Sequence, residues 1–324
     1  MRGHLEGVLA RLRRRGAAAG PMKRLDIKIG FACNNRCDFC AQGDKRRVLG
    51  RRPLARIVGE LKAAARQGVR GVVFTGGEPT LHPRLAQAVR AAKRAGFESI
   101  QIQSNGRKFA YPDYCRSLRD AGANEFSPSL HGSGPRLHDA QTHAPGSWRE
   151  TVAGIRNLKK LGLHVLTNSV VTKLNYRDLP ALARLLVRLG VDQFQFAFIH
   201  IVGAAAREGR GIVPRKSDAV PYMLEGMRIG RAAGVPCYTE AVPYCLLDGL
   251  ADCACERLIP DGPVVDLDFQ LKSWEKYRTA TGKAKRPRCR ACRHDGVCEG
   301  PWREYPELFG WDEFVPVRGE APRR

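Results

Sequence analysis

The sequence predicts an α/β fold in which helices cover a parallel sheet. From residue 25 to about residue 234, short strand-like runs alternate with longer amphipathic runs, a pattern typical of parallel strands joined by helical crossovers. The 324 residues, 43% of them hydrophobic, suffice for one large domain and a smaller second one. No uninterrupted apolar run approaches the roughly 18 residues that cross a bilayer. We therefore expect a soluble, cytoplasmic protein.

Six strand-like runs build the predicted sheet. The first, residues 25–31, alternates large apolar residues with smaller or polar ones, as a half-buried strand does. The other five are predicted at residues 69–75, 97–103, 124–130, 163–171 and 192–199. Alternation alone leaves two architectures open, a doubly wound open sheet and a barrel or partial barrel. In both, functional residues gather at the carboxyl ends of the strands.

Helices are predicted between these strands. Pro53 occupies the first turn of a helix with an apolar stripe, and Gly68 is placed to end it. Ser147 and Glu150 have the pattern of a capping box at the start of a helix that reaches residue 161. The preceding residues, 131–146, are predicted to form a long loop. The remaining helices are predicted at residues 83–95, 112–121, 178–189 and 218–233.

The chain is strongly basic, with 55 Lys and Arg against 32 Asp and Glu and a formal charge of +23. Such an excess suggests nucleic acid, an anionic membrane or an acidic peptide as a partner. Scattered arginines are, however, more typical of solvated helix faces, and no recognisable RNA-binding module accompanies them. Residues 1–24 form a basic extension, in which residues 2–15 have the pattern of a short helix.

The 11 cysteines indicate metal binding or catalysis, because a cytosolic protein keeps its thiols reduced. Cys33, Cys37 and Cys40 have the spacing C-x3-C-x2-C in one loop directly after the first strand. Three thiolates can hold three corners of a [4Fe–4S] cluster, which leaves one iron open for another molecule. Structural zinc is the alternative, but the loop offers no fourth cysteine or histidine.

This spacing, with Phe39 just before the last cysteine, resembles the defining motif of the radical S-adenosylmethionine (SAM) superfamily. In that family the methionine moiety chelates the open iron, an electron cleaves the sulfonium, and a 5′-deoxyadenosyl radical abstracts hydrogen from the substrate. The resemblance implies that Cys33, Cys37 and Cys40 hold the cluster and that the backbone at Phe39 lies near the adenine. It also implies a partial six-stranded (β/α) barrel over residues 25–199.

Further motifs resemble the SAM site of the same family. Gly76, Gly77, Glu78 and Pro79, after the second strand, are similar to its Gly-Gly-Glu motif, which receives the amino group of the methionine moiety. The other similarities lie after the third strand and on the fourth and fifth strands. These further implied SAM-binding residues are Ser104, Asn105, Ser127, Ser129 and Asn168.

A second cysteine group near the end of the chain has the spacing C-x2-C-x5-C. It is similar to the auxiliary-cluster extensions called SPASM and twitch domains, although Trp302 stands where a full SPASM run has another cysteine. The resemblance therefore implies a single twitch-like iron–sulfur cluster. Its implied ligands are Cys245, Cys289, Cys292 and Cys298, with Cys253 and Cys255 as alternatives to Cys245. A zinc ribbon also fits this spacing.

The predicted organisation is a basic extension (residues 1–24), a barrel (25–234) and a small cysteine-rich domain (235–324). The predicted protein is a maturase-like radical SAM enzyme that abstracts hydrogen from a peptide or small-molecule precursor, with flavodoxin or ferredoxin as electron donor. RNA modification and non-catalytic iron–sulfur or zinc binding are the alternatives. No residue is assigned as hydrogen acceptor or substrate base. Packing or surface roles are predicted for Glu256, Glu299, Glu304, Trp302, Tyr305, Phe309 and Trp311.

Overall fold

A computed structural model of the protein describes residues 22–247 and 249–320. The strands are β1 (Arg24–Lys28), β2 (Gly71–Thr75), β3 (Ser99–Ser104), β4 (Glu125–Pro128), β5 (His164–Val171), β6 (Gln193–Phe198), β7 (Cys237–Glu240), β8 (Val264–Val265) and β9 (Gln270–Leu271). The helices are α1 (Lys45–Val48), α2 (Leu54–Arg66), α3 (Leu85–Arg94), α4 (Pro112–Ala121), α5 (Pro135–Thr142), α6 (Ser147–Lys160), α7 (Leu179–Leu189), α8 (Ala204–Glu208), α9 (Lys216–Ala232), α10 (Trp274–Tyr277) and α11 (Glu304–Phe309).

The strands form one sheet in the order β7-β6-β5-β4-β3-β2-β1-β8-β9. All neighbouring strands are parallel except β8 and β9, which form an antiparallel pair. From β1 to β7 the spatial order follows the chain, as in a partial barrel, whereas a doubly wound sheet reverses its order at a switch point. The α/β class is confirmed, and the strand order favours the partial barrel.

The two faces of the sheet differ in chemistry. On the helix-covered face, Leu25, Ile27, Phe74, Ile102 and Phe126 are at most 1% exposed. In-register neighbours in a parallel sheet share a face, and the pairings place polar residues together on the other face. This polar face comprises Asp26, Gln101, Glu125, Ser127, Ser129, Asn168, Gln195 and Glu240. The alternation seen in the sequence therefore separates an apolar core from a polar surface inside the partial barrel.

Two local predictions between β4 and β5 are wrong. Residues 131–146 are not a continuous loop, because α5 begins with Pro135 in its first turn. Ser147 is the first residue of α6 and not its cap. Asp139 of α5 caps α6 instead, since its carboxylate accepts hydrogen bonds from the backbone of Gly146 and Trp148 and from the Ser147 hydroxyl, at 2.7–2.8 Å. A carboxylate reaching over from the preceding helix leaves no pattern in local sequence.

The sheet continues beyond residue 234, where the cysteine-rich domain was predicted to begin. The predicted six strands are present, and β7 extends them by pairing with β6, while β8 pairs with β1 at the other end. The division into two domains stays a prediction. The predicted basic helix at residues 2–15 lies outside the described residues. Among the helices of the described residues, none is long and apolar enough to cross a bilayer.

Candidate functional site

The carboxyl ends of three neighbouring strands carry the predicted motifs. Residues 33–40, here called the cysteine loop, follow β1, the Gly-Gly-Glu motif follows β2, and Ser104 ends β3. Because β1, β2 and β3 are adjacent and parallel, these three segments meet at one edge of the sheet. The structure thus brings together motifs that are far apart in sequence.

The three thiols of the cysteine loop lie close to one another. Burial raises the pKa of the Cys33 thiol to about 11, and the nearby negative charges of Glu78 and Cys40 add to the rise. Burial also raises the pKa of Cys37, and the negative charges of Cys33 and Cys40 raise it further. Thiolates that destabilise one another in a half-buried loop are stabilised by a shared metal, because a coordinating cation favours the deprotonated form.

Helix α5 holds the cysteine loop through the backbone. Arg36 N donates to Thr142 O at 2.8 Å, and Asp38 N donates to Gln141 O at 3.2 Å. The unpredicted helix therefore fixes the loop on both sides of its second cysteine, Cys37. Loop geometry fixed by backbone hydrogen bonds costs less ordering entropy when a ligand binds.

Phe39 is buried beneath the loop. Its ring contacts the His131 ring edge-on, with centroids 4.6 Å apart. The backbone N–H of His131 donates to His138 Nδ1 at 3.0 Å, and His131 Nδ1 accepts from Val170 N at 3.1 Å. Burial lowers the pKa of both histidines, His138 to about 4. Both are therefore neutral packing residues under the loop.

Gly76 and Gly77 let the chain after β2 pass close to the chain after β1. A Cβ on Gly76 would lie 2.2 Å from Gly30 O, and a Cβ on Gly77 would lie 2.4 Å from Phe31 O. Gly76 also has a φ of +131°, which L side chains rarely adopt. Gly77 N and Glu78 N donate to Gly30 O and Ala32 O, both at 2.8 Å. Two glycines are required because the backbones themselves are in contact.

Glu78 joins the ends of β2 and β3. One carboxylate oxygen accepts hydrogen bonds from Thr80 N at 2.9 Å, the Thr80 hydroxyl at 2.6 Å and the Ser104 hydroxyl at 2.8 Å. The other accepts from Asn105 N at 2.6 Å. Burial raises the pKa of Glu78, while these hydrogen bonds lower it. Pro79 begins the short turn that follows. The carboxylate thus has a positioning role besides the predicted contact with an amino group.

The turn after β3 reaches the cysteine loop. The Asn105 side-chain amide donates to Asn34 Oδ1 at 2.7 Å. Arg107, which sequence analysis did not single out, donates through Nη1 to Asn34 O at 2.7 Å and to Asn35 Oδ1 at 3.1 Å, and its Nε pairs with Glu150. Its place directly after the Ser-Asn-Gly turn was the only signal available.

Ser127, Ser129 and Asn168 share the polar face. Ser129 pairs with Asn168 across β4 and β5, and Ser127 is 5% exposed. The buried Oδ1 of Asn168 has no hydrogen-bond partner. A buried acceptor without a donor is costly, so this atom suits a hydroxyl or N–H group of a bound ligand.

The C-terminal cysteines line one cavity, which is open to solvent. Burial raises the pKa of Cys245 to about 12, with Cys298, Cys292 and Cys289 as further causes. The predicted fourth ligand therefore lies beside the other three. Other residues around this C-terminal cavity include Pro243, Lys285, Asp295, Trp311 and Phe314.

The two alternative cysteines lie elsewhere. Cys253 interacts with Cys237 of β7, and Cys255 lies near Glu240 and Glu256. Neither lines the C-terminal cavity. In the described part of the chain, no group of three or more His, Cys, Asp or Glu residues is spaced to hold a single metal ion.

A buried ion network adjoins the C-terminal cavity. Lys283 Nζ lies 2.8 Å from Glu256 and 2.9 Å from Glu299, and Arg278 pairs with Glu299 at 2.7 Å. The side chains of Lys283 and Arg278 are each 2% exposed. The prediction of packing or surface roles for Glu256 and Glu299 is therefore wrong in its chemistry, because both acids are buried counter-ions. Among the aromatic residues, Trp302 and Tyr305 are buried as predicted.

Comparison with known sequences finds a family model that matches most of the residues from β1 to α7. Residues 27–186 match the model of the radical SAM superfamily. A probable GTP 3′,8-cyclase of Saccharolobus solfataricus is 30% identical over 188 residues, covering 56% of this chain and 59% of that protein. The GTP 3′,8-cyclase of Aquifex aeolicus is 32% identical over 177 residues, covering 53% and 55%. The matched region thus spans less than two thirds of these relatives.

Comparison with solved structures finds the same fold. Streptococcus suis SuiB bound to the precursor peptide SuiA has a TM-score of 0.58 at 18% identity, covering 71% of this chain and 51% of that chain. Native anSMEcpe with bound AdoMet and Kp18Cys peptide has a TM-score of 0.57 at 15% identity, covering 67% and 64%. At such identities the likeness concerns the fold alone.

Proposed function

We propose that this chain, which belongs to the radical SAM superfamily, cleaves SAM reductively and uses the resulting 5′-deoxyadenosyl radical to abstract hydrogen from a precursor molecule. The observation that carries the proposal is the convergence of three motifs at adjacent strand ends. Glu78 and Asn105 connect the cysteine loop, the Gly-Gly-Glu motif and the Ser-Asn turn through hydrogen bonds. A protein that merely carried a cluster would have no need for this connection.

The thiols of Cys33, Cys37 and Cys40 fit a [4Fe–4S] cluster, because three soft donors that interact electrostatically occupy one short loop. When bound, such a cluster supplies the electron that breaks the sulfonium bond of SAM. Gly76, Gly77 and Pro79 would shape the strand edge that receives the methionine moiety. The predicted contact between the adenine and the backbone at Phe39 belongs to the same proposal.

Polar groups on the sheet would bind the rest of SAM. Asn168 Oδ1 offers an unpaired buried acceptor, and Ser127 and Ser129 lie on the same face. Ser104 and Asn105 stand at the carboxyl end of β3, next to Glu78. The ribose and carboxylate of SAM carry the hydroxyl and oxygen groups that such residues bind.

The C-terminal cavity supports a second iron–sulfur cluster held by Cys245, Cys289, Cys292 and Cys298. Four cysteine ligands leave no iron open, which favours electron transfer over substrate binding. Residues 235–324 would then form the auxiliary-cluster region beside a barrel of residues 25–234.

A peptide is the substrate class that the fold comparisons favour, since SuiB and anSMEcpe are solved with peptides bound. A small-molecule precursor is the second candidate, because the sequence relatives are named GTP 3′,8-cyclases. Flavodoxin or ferredoxin would supply the electron in the cell.

The test is anaerobic reconstitution with iron and sulfide, followed by measurement of 5′-deoxyadenosine formed from SAM under dithionite. Wild type should form it and Cys37→Ala should not. Cys115→Ala is the matched control, because Cys115 is fully buried on α4 and belongs to neither cysteine group. If well-reconstituted wild type forms no 5′-deoxyadenosine, the proposal fails.

A further inference from the structure

One peptide group in the cysteine loop is hydrogen-bonded at both ends. Asn35 N donates to Cys33 Sγ at 3.4 Å. The carbonyl of that same peptide group belongs to Asn34 and accepts from Arg107 Nη1 at 2.7 Å. The guanidinium, the peptide group and the first cysteine sulfur thus form one continuous chain of hydrogen bonds.

The surrounding contacts hold this chain in place. Arg107 also donates to Asn35 Oδ1 at 3.1 Å, and Asn35 is 4% exposed. Asn105 fixes the Asn34 side chain at 2.7 Å. The Arg107 side chain is 19% exposed and is paired with Glu150, which is 40% exposed. The cation is therefore mostly buried, although its hydrogen bond to Asn34 O lies at the surface.

A cation at the carbonyl end of a peptide group strengthens the hydrogen bond at its N–H end, because hydrogen-bond chains polarise one another. Hydrogen bonds to cluster sulfurs and nearby charge are among the factors that set the reduction potential of an iron–sulfur cluster. A stronger N–H donor stabilises the more negative, reduced state of the cluster.

We propose that Arg107 is a positioning residue that raises the reduction potential of the cluster on Cys33, Cys37 and Cys40 by polarising the Asn34–Asn35 peptide group. This role rests on the proposed function, since it needs the cluster to be present. Glu150 opposes it, because its carboxylate neutralises part of the guanidinium charge. Arg107 acts through the peptide group and touches no reacting atom.

The experiment measures the midpoint potential of the cluster by redox titration followed by electron paramagnetic resonance, on full-length reconstituted protein without SAM. A background in which Cys289, Cys292 and Cys298 are all replaced by Ala removes signals from the C-terminal site, because the one remaining thiol, Cys245, cannot hold a cluster alone. Arg107→Gln should lower the ratio of reduced to oxidised cluster at a fixed potential about tenfold, a shift of about 59 mV. Arg107→Lys, which keeps the charge, should recover part of the shift.

Glu150→Gln separates this role from a purely structural one. It leaves Arg107 in the chain and removes its counter-ion, so the potential should shift in the positive direction. Arg119→Gln is the control, because Arg119 is a partly exposed residue of α4 paired with Asp120. If Arg107→Gln does not hold the cluster, the midpoint potential of Glu150→Gln decides whether Arg107 tunes the cluster.

The outcomes distinguish the two proposals. Suppose that wild type forms the cluster and cleaves SAM, and that Arg107→Gln and Glu150→Gln both have the wild-type midpoint potential. The role of Arg107 is then overturned, and the proposed function stands. A negative shift in Glu150→Gln also overturns it. If wild type binds a cluster but does not cleave SAM, the proposed function fails, and the midpoint potentials still test Arg107.

Discussion

The cysteine loop and the C-terminal cavity gather cysteines in different ways. The loop carries its three thiols within eight residues. Its backbone bonds to α5, and the chain after β2 bonds to Gly30 and Ala32 just before it. The C-terminal cavity instead joins Cys245, from a segment after β7, to a cysteine group near the end of the chain. The loop is therefore recognisable from local spacing, whereas the cavity depends on how distant segments pack.

The two regions also differ in how their surroundings carry charge. Around the cysteine loop, charged side chains bond to backbone groups, as Arg46 does to Asn35 O at 3.0 Å. Beside the C-terminal cavity, Lys283 and Arg278 pair with buried acids. A buried ion network contributes to a unique arrangement only when all its members are present. Substitutions beside the C-terminal cavity should therefore lower the stability of the protein more than substitutions around the cysteine loop do. They should lower its rate of SAM cleavage less.

The largest expected effect is on SAM cleavage, which should depend on the cysteine loop and much less on the C-terminal cysteines. Cys37→Ala should lower 5′-deoxyadenosine formation from SAM at least about 100-fold, whereas Cys289→Ala should keep it within about threefold, a barrier change below 1 kcal/mol. Both variants should lose iron. The measurement is 5′-deoxyadenosine by chromatography, with iron content on the same samples. Equal loss of cleavage in both variants would contradict independent sites.

Removing Lys283 tests the buried ion network. Lys283→Met leaves Glu256 and Glu299 buried without their shared cation, and should lower the free energy of unfolding by about 3–5 kcal/mol. Lys285→Met is the matched control, because Lys285 pairs with Asp295 where both side chains are about one-third exposed. That pair should contribute less than about 1 kcal/mol. Urea unfolding of the reconstituted proteins measures both, and similar losses would show that burial does not decide the effect.

Adding a methyl group tests the backbone contact in the first region. Gly77→Ala places a Cβ 2.4 Å from Phe31 O, and should destabilise the protein by about 1–3 kcal/mol through overpacking. Gly59→Ala is the control, since Gly59 lies inside α2 with open space around it. That substitution should stabilise by about 0.5–1 kcal/mol. Thermal unfolding of both variants gives the comparison, and a stable Gly77→Ala protein would be incompatible with the close approach.

The last prediction concerns the pH dependence of stability in the first region. His138 lies under the cysteine loop with no exposed surface, and burial lowers its pKa from 6.5 to about 4. Between these values the unfolded chain binds the proton and the folded chain does not, so stability rises with pH by up to about 3 kcal/mol. His138→Gln should flatten this rise in urea unfolding measured from pH 4 to pH 7. The exposed His164→Gln should not, and an unchanged slope in His138→Gln would rule out this origin.

The sequence alone determined the fold class, the six core strands and the elements that join most of them. Helix α4 lies at residues 112–121, as predicted, because Pro112 and Gly122 mark its ends and an apolar stripe lies between them. It also determined the cysteine loop and the Gly-Gly-Glu motif, since these are short patterns in which the chemistry requires adjacent residues. Such features follow from interactions within a few residues of chain.

The tertiary structure decided the rest. The capping of α6 by Asp139, the double contact of Arg107 with the cysteine loop, and the pairing of Lys283 with Glu256 and Glu299 join residues that have no periodic or positional relation in the sequence. The alternation of strands and helices left a partial barrel and a doubly wound sheet open, and the strand order favours the partial barrel that the motif resemblance implied. These features arise from side chains meeting across the packed sheet and helices, where geometry depends on the whole fold and leaves no local pattern.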